Sequence, residues 1–169
     1  MKAVMVDIET LSSEPNAVIL QIGAVKFDPF GEGVTDKFLV NVNPHEYQYN
    51  RHIDTKTIKW WQGQGGAPMD GDTPLWTALA KLREFCHGAD ECWAHGSSFD
   101  HTVLAHACKD TDEELFSHYR TWRDTRTLFA YCNGFQWPEN ENKHDALADA
   151  VAQAVAVQRA IASGMKRGE

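Results

Sequence analysis

MKAVMVDIET, residues 1–10, is a short apolar run that closes on two acids one residue apart. Residues 2–7 read as a strand, and side chains two positions apart on a strand share a face. Asp7 and Glu9 are therefore expected to project together from its end. Two like charges held close in a partly closed site repel, and one is driven toward protonation unless a cation neutralises them. A divalent metal is the simplest such cation. Alone, Asp7 is as readily a turn residue and Glu9 a surface charge; the rest of the chain decides between the readings.

Two other segments carry matching chemistry. AHGSSFDHTVL, residues 94–104, follows a second strand-like run at 91–95. Ser97 or Ser98 is placed to cap a helix containing Thr102, Val103, Leu104 and Ala107. That puts Asp100 in the first turn, where the helix N-terminus favours an ionised carboxylate. KHDALADA, residues 143–150, opens an alanine-rich stretch in which Leu147, Val151, Val155 and Ile161 follow helical spacing and predict a buried stripe. Asp149 points away from that stripe, and its neighbours along the helix are Ala146, Ala152, Gln153 and Ala156. Such a small-residue face lets a helix approach another backbone closely, which would carry Asp149 toward the strand of Asp7. On one continuous helix His144 would point roughly 140° from Asp149. It is therefore placed just before the helix, with Asp145 as N-cap, leaning over the acids from a less rigid support. Each residue has a bland reading by itself, as cap, helix-end charge or loop histidine. Together, in three suitable contexts, they point to a two-metal nuclease.

The three segments resemble the Exo I, Exo II and Exo III motifs of the DEDDh, or DnaQ-like, 3′→5′ exonucleases, which have an RNase H-like fold. The step from His144 to Asp149 matches the DEDDh branch; the branch with Tyr one position nearer the Asp would need it where Asp145 stands. KTIKWWQGQ, residues 56–64, and WRDTRTLF, residues 122–129, resemble segments of the T-even phage exonuclease A and ribonuclease AS subgroup. Gly96 is a departure, since many DEDD exonucleases have Asn four residues before the Exo II Asp. The resemblance implies an α/β fold with a mixed five-stranded sheet flanked by helices. It implies that Asp7, Glu9, Asp100 and Asp149 hold two divalent cations, Mg²⁺ or Mn²⁺, for which carboxylates are suitable hard ligands. It also makes His144 a general base, an imidazole titrating near working pH. The reaction implied is removal of nucleoside 5′-monophosphates from single-stranded DNA or RNA 3′ ends. Some family members are dimers, which leaves a homodimer open here.

At 169 residues the chain suits one domain, residues 1–169, with one sizeable core. No apolar run has transmembrane length, and residues 1–6 are too short for a signal-peptide core. Cys86, Cys92, Cys108 and Cys132 form no Cys-x-x-Cys pair. That argues against zinc and a disulfide framework, and for a cytoplasmic protein with reduced thiols. The formal charge of −8 is unusual for a nucleic-acid enzyme, because phosphate contacts use Lys and Arg. Two divalent ions would offset the four carboxylates. The remaining negative charge argues against coating of long duplexes and suits capture of single 3′ ends.

The order of elements agrees. Residues 17–28 and 34–42 read as strands paired around the turn at 29–33, 54–62 as a short helix, and Pro74 as the approach to a helix reaching about 87. A fourth strand at 91–95, a fifth at 119–123, a helix at 125–132, a polar loop at 133–143, a helix at 146–162 and a frayed tail at 165–169 complete the chain. Strands followed by alternating helices and strands make a mixed α/β sheet.

Around the acids, Trp60 or Trp61 is a candidate to stack on a terminal base. Adjacent residues on a helix point about 100° apart, so core packing is expected for at least one of them. Arg123 and Arg126 are candidates to clamp a phosphate or, equally, to pair with acidic neighbours at the surface, and Asp124 to orient one of them or border the site. His95, His101 and His106 read as packed or exposed. Two other functions stay open: a catalytically weak proofreading or adaptor module holding 3′ ends for a polymerase, which would not need His144, and a metal-dependent phosphoesterase for small nucleotides.

Overall fold

The apolar opening run becomes the middle strand of a sheet. The structure, a computed structural model, describes residues 2–166. Its strands are β1 (Ala3–Thr10), β2 (Ile19–Phe27), β3 (Asp36–Asn41), β4 (Glu91–Ala94) and β5 (Trp122–Asp124), in the order β3-β2-β1-β4-β5. β1 pairs antiparallel with β2, and β2 with β3; on the other side β1 runs parallel to β4, and β4 to β5. This is the mixed five-stranded sheet expected from the sequence.

β1 does not end at Asp7 as its apolar pattern suggested. Asp7 pairs with Gly23 and Glu9 with Gln21, and the register breaks only between Glu9 and Thr10. Both acids thus stand within the strand, held by the ladder to β2. β4 meets β1 only at Ala3, Val4 and Met5. Among the described residues the second half of β1 has no strand on that side, which opens a notch at the carboxyl ends of the parallel strands, where sites form in open α/β sheets.

The fifth strand is shorter and later than expected. Tyr119–Thr121 form a 3₁₀ turn instead, and only Trp122, Arg123 and Asp124 pair with β4. The Arg120 N–H donates to His118 Nδ1 (3.3 Å) and holds that turn, leaving Tyr119 exposed.

Five helices flank the sheet among the described residues: α1 (Thr55–Gly63), α2 (Leu75–Cys86), α3 (Ser97–Thr111), α4 (Thr125–Tyr131) and α5 (Ala146–Ser163). Alternation along β1 sorts the faces. Val4, Val6 and Ile8 pack with Leu75, Leu79 and Leu82 of α2 and Val103 and Leu104 of α3. Ala3 and Met5 pack on the other face with Ala150, Ala154 and Val157 of α5 and, at the margin, Leu128 and Phe129 of α4. Each fully buried Leu or Val contributes about 1.5–3 kcal/mol.

Three local expectations are corrected. On α5 the buried residues are Ala146, Ala150, Ala152, Gln153, Ala154, Ala156, Val157, Gln158 and Ala160, whereas Leu147, Val151, Val155 and Ile161 are only partly buried. The helix lies so close to the sheet that alanines fill the interface and the larger side chains straddle it. Neither Ser97 nor Ser98 caps α3: the N-cap is Gly96 in the left-handed region (φ 104°), and the Ser97 N–H is taken by Asp124 Oδ2 at 2.7 Å. The tail is not frayed at its start. Met165 bridges Cys132, and the Lys166 N–H donates to the Tyr131 carbonyl at 2.8 Å; the remainder, 167–169, lies outside the described residues. No described helix is long and apolar enough to cross a membrane.

Candidate active site

The odd-numbered side chains of β1 face α5, so Asp7 and Glu9 emerge beneath that helix. β2 lets α5 come down on them. A Cβ on Gly23, the partner of Asp7, would overlap the Ala146 carbonyl and the Leu147 amide. Only glycine permits such a close backbone approach. Gln21 fixes the same end, its Oε1 accepting the Ala146 N–H at 3.3 Å. Asp145 caps the helix by accepting the Ala148 N–H at 2.9 Å, as the sequence predicts.

One turn into α5, Asp149 faces the notch. Its Oδ1 accepts from Asn140 Nδ2 (2.6 Å) and its Oδ2 from the His144 backbone N–H (2.9 Å). His144 precedes the helix in the left-handed region, φ 66°, which turns its ring back over the acids. Ligand atoms of Glu9, His144 and Asp149 all lie within 4.8 Å of one another. The His144 ring stands edge-on to Trp60 with centroids 4.7 Å apart. The support expected to be loose is therefore tied at its amide and walled at its ring. Asp100 is 4 % exposed in the first turn of α3, near enough to Asp7 and Glu9 for both to act on its carboxyl.

Crowding shows in the protonation of the group. Burial first, opposed by the Gln153 hydrogen bond and reinforced by Asp149, pushes the Asp7 carboxyl up to about 7. Burial, then Asp7 and Asp149, push Glu9 up to about 8. Burial and Asp7 hold Asp100 well above the usual range. Asp149 is raised by burial against the His144 amide. Carboxylates that would sooner bind a proton than share a dry cleft are a donor set for hard divalent cations. The residues present fit such ions.

Other candidates fall into place around this centre. Trp61 is core, 4 % exposed, with its Nε1 donating to the Thr10 carbonyl (3.0 Å) beside Glu9; Trp60 is 43 % exposed. Arg123 turns away: its Nε donates to Glu91 Oε1 (3.0 Å), at the far end of the parallel strands. Asp124 is the N-cap of α4, accepting from Arg126 N–H and Thr127 N–H. Burial works to raise it, but these amides and that of Ser97 hold it low. The Arg126 guanidinium lies against Gly96. His95 bonds Thr125 Oγ1 (2.7 Å), His101 packs edge-on to Trp122 (5.1 Å) and His106 sits 3.2 Å from Asp110.

Two supporting residues had no functional signal in the sequence. Gln153 stands four residues past Asp149, on its face, and its Nε2 donates to Asp7 Oδ1 at 2.7 Å. Asn140 belongs to a polar loop in which nothing distinguishes it from its neighbours.

The model of the Rv2179c-like 3′-5′ exoribonuclease domain family matches residues 2–161. The chain belongs to this family. It is a nuclease domain of the DnaQ-like 3′→5′ exonuclease superfamily, with the RNase H-like fold. The exodeoxyribonuclease of Enterobacteria phage T4 is 26 % identical over 125 residues, 63 % of this chain and 55 % of the phage protein. E. coli exonuclease I in complex with a dA16 oligonucleotide superposes with a TM-score of 0.74 at 16 % identity, over 96 % of this chain and 41 % of that one. The zinc-bound complex of the same enzyme with single-stranded DNA gives 0.72 at 17 % identity, over 94 % and 40 %. The chain thus spans little more than half of the phage relative and about two fifths of exonuclease I.

Proposed function

We propose that this chain is one exonuclease domain that removes nucleoside 5′-monophosphates from single-stranded 3′ ends of RNA or DNA. The observation that carries the reading is the convergence of Glu9, His144 and Asp149, with ligand atoms within 4.8 Å, beside Asp7 and Asp100. Asp7, Glu9, Asp100 and Asp149 would hold two divalent cations, Mg²⁺ or Mn²⁺, which would supply charge neutralisation at the scissile phosphate and favour ionisation of the attacking water. His144 takes the proton of that water. Its amide is anchored to the Asp149 carboxylate and its ring braced by Trp60, so the imidazole is oriented before substrate arrives. Gln153 holds Asp7, and Trp61 pins the strand end after Glu9 through the Thr10 carbonyl. The exposed edge of Trp60 supports stacking on a terminal base.

The family description names an exoribonuclease and the phage relative an exodeoxyribonuclease. The wider match of the former, residues 2–161, favours RNA. Matched 5′-labelled RNA and DNA oligonucleotides, incubated with Mg²⁺ or with EDTA, test the reading. A ladder shortening from the 3′ end only with Mg²⁺ is expected. Stable oligonucleotides alongside hydrolysis of p-nitrophenyl-TMP would make the protein a small-nucleotide phosphoesterase instead, and binding of 3′ ends without cleavage would make it an adaptor.

A further inference from the structure

Six arginines lie within the described residues, and five have side-chain partners. Arg51 pairs with Asp110, Arg83 with Glu113 and Arg123 with Glu91; Arg120 reaches the Tyr119 hydroxyl and Arg159 the Gln136 carbonyl. Arg126 is the exception: among the described residues its guanidinium makes no hydrogen bond or ion pair, and it is exposed. This holds in a chain of net charge −8, beside a cluster of acids. The nearest carboxylate in sequence, Asp124, is already used, accepting the N–H groups of Ser97, Arg126 and Thr127.

The backbone of Arg126 is nonetheless firmly placed. Asp124 ties the first turn of α4 to the first turn of α3, the turn that carries Asp100. Gly96 precedes that turn, and the Arg126 Cζ and one terminal nitrogen lie 3.5 Å from where a Cβ on Gly96 would be. The guanidinium therefore covers the side-chain space of residue 96, four positions and about one helical turn before Asp100. His95, next to Gly96, feels both sides of this arrangement. Burial lowers its pKa, the Arg126 charge lowers it further, and Asp124 and Asp149 oppose.

A planar guanidinium with no partner among the described residues, exposed at the rim of an acidic site, suits two oxygens of a phosphate. We propose that Arg126 is the phosphodiester-binding arginine of this site, holding a backbone phosphate of the bound strand other than the one that is cleaved. The proposal rests on the exonuclease reading above. The cleaved phosphate belongs among the carboxylates, whereas Arg126 stands about one turn of α3 away and touches none of them. Gly96 is part of the device, since a side chain there would compete for the space the guanidinium covers.

Arg126→Gln and Arg126→Lys test this on substrates of different length. With a hexanucleotide, Arg126→Gln is expected to lower kcat/KM by about 10–100-fold, chiefly through KM. With a dinucleotide, which has a single phosphodiester, the loss should stay below about threefold. Arg126→Lys should recover part of the loss, because it keeps the charge without the fork. Binding of labelled hexanucleotide with Ca²⁺ in place of Mg²⁺ should show a salt slope shallower by about 0.7 in Arg126→Gln. Equal losses on both substrates, or none on the hexanucleotide, would overturn the proposal while the exonuclease reading stands. A wild-type protein that cleaves no oligonucleotide sinks that reading and this proposal with it.

Discussion

The side-chain amide of Gln153 donates to Oδ1 of Asp7 at 2.7 Å, across 146 residues of chain. Its own Oε1 is buried without a partner among the described residues. The contact locks the carboxylate at the floor of the cleft in one orientation.

Removing it with Gln153→Leu should free Asp7 to rotate. Partners of metal ligands typically change metal affinity by about 10–100-fold, and a loss of that size in Mn²⁺ affinity is the expected calorimetric result. Unchanged affinity would show that Asp7 needs no such support.

His144 and Asp149 should separate by role. Asp149→Ala removes a proposed ligand and the acceptor that anchors His144, so both Mn²⁺ binding and activity should be lost. His144→Ala should keep most of the Mn²⁺ affinity and slow turnover by roughly 10²–10⁴-fold. Paired Mn²⁺ titrations and rates decide this. A collapse of Mn²⁺ affinity in His144→Ala would make the histidine a ligand, a role that its 4.8 Å company with Glu9 and Asp149 also permits.

The raised acids predict how the metal-free protein responds to pH. Burial puts Asp7 at about 7 and Glu9 at about 8, against about 4 in an unfolded chain. Between about pH 4 and these values the folded state holds more protons than the unfolded one, so stability falls as pH rises toward them and levels off above. In EDTA, melting temperature should drop between about pH 6.5 and about pH 8 and level off beyond. His95 and His101, both lowered by burial, act in the opposite sense mainly below that window. Saturating Mn²⁺ should flatten or reverse the trend, since cations bind better to deprotonated ligands. A metal-free melting temperature that climbs across the window contradicts the burial of these acids.

Gly23→Ala should be among the most damaging small substitutions. The added methyl would meet backbone atoms of Ala146 and Leu147, which cannot rotate aside, so α5 must lift from the sheet. Overpacking costs about 1–3 kcal/mol, and the upper end is expected in urea unfolding. Because Asp149 and Gln153 ride on the same helix, Mn²⁺ affinity should fall too. Gly63→Ala, with nothing within 4 Å of the new atom, is the control.

Much of this was legible in local pattern. The pleat that sets Asp7 and Glu9 on one face, the Asp145 cap and the five-residue step from His144 to Asp149 all depend on periods of a few residues. Failures came where a contact from elsewhere overruled the local rule. Asp7 and Glu9 stayed in β1 because β2 pairs with them. The α5 stripe of larger residues lost the interface to alanines because Gly23 admits the helix so closely. Ser97 lost its capping role to Asp124, 27 residues away.

Chain order and residue chemistry were enough to name the mixed sheet and to single out the four acids and the histidine as candidates, because strand and helix periodicity act over short distances. Folding alone sorted the aromatic and basic residues around them. Trp61 went to the core and Trp60 to the surface, Arg123 paired with Glu91, and Arg126 was left over Gly96 with no partner among the described residues. Which partner a side chain finds depends on segments distant in sequence meeting in space, and no local period encodes that meeting.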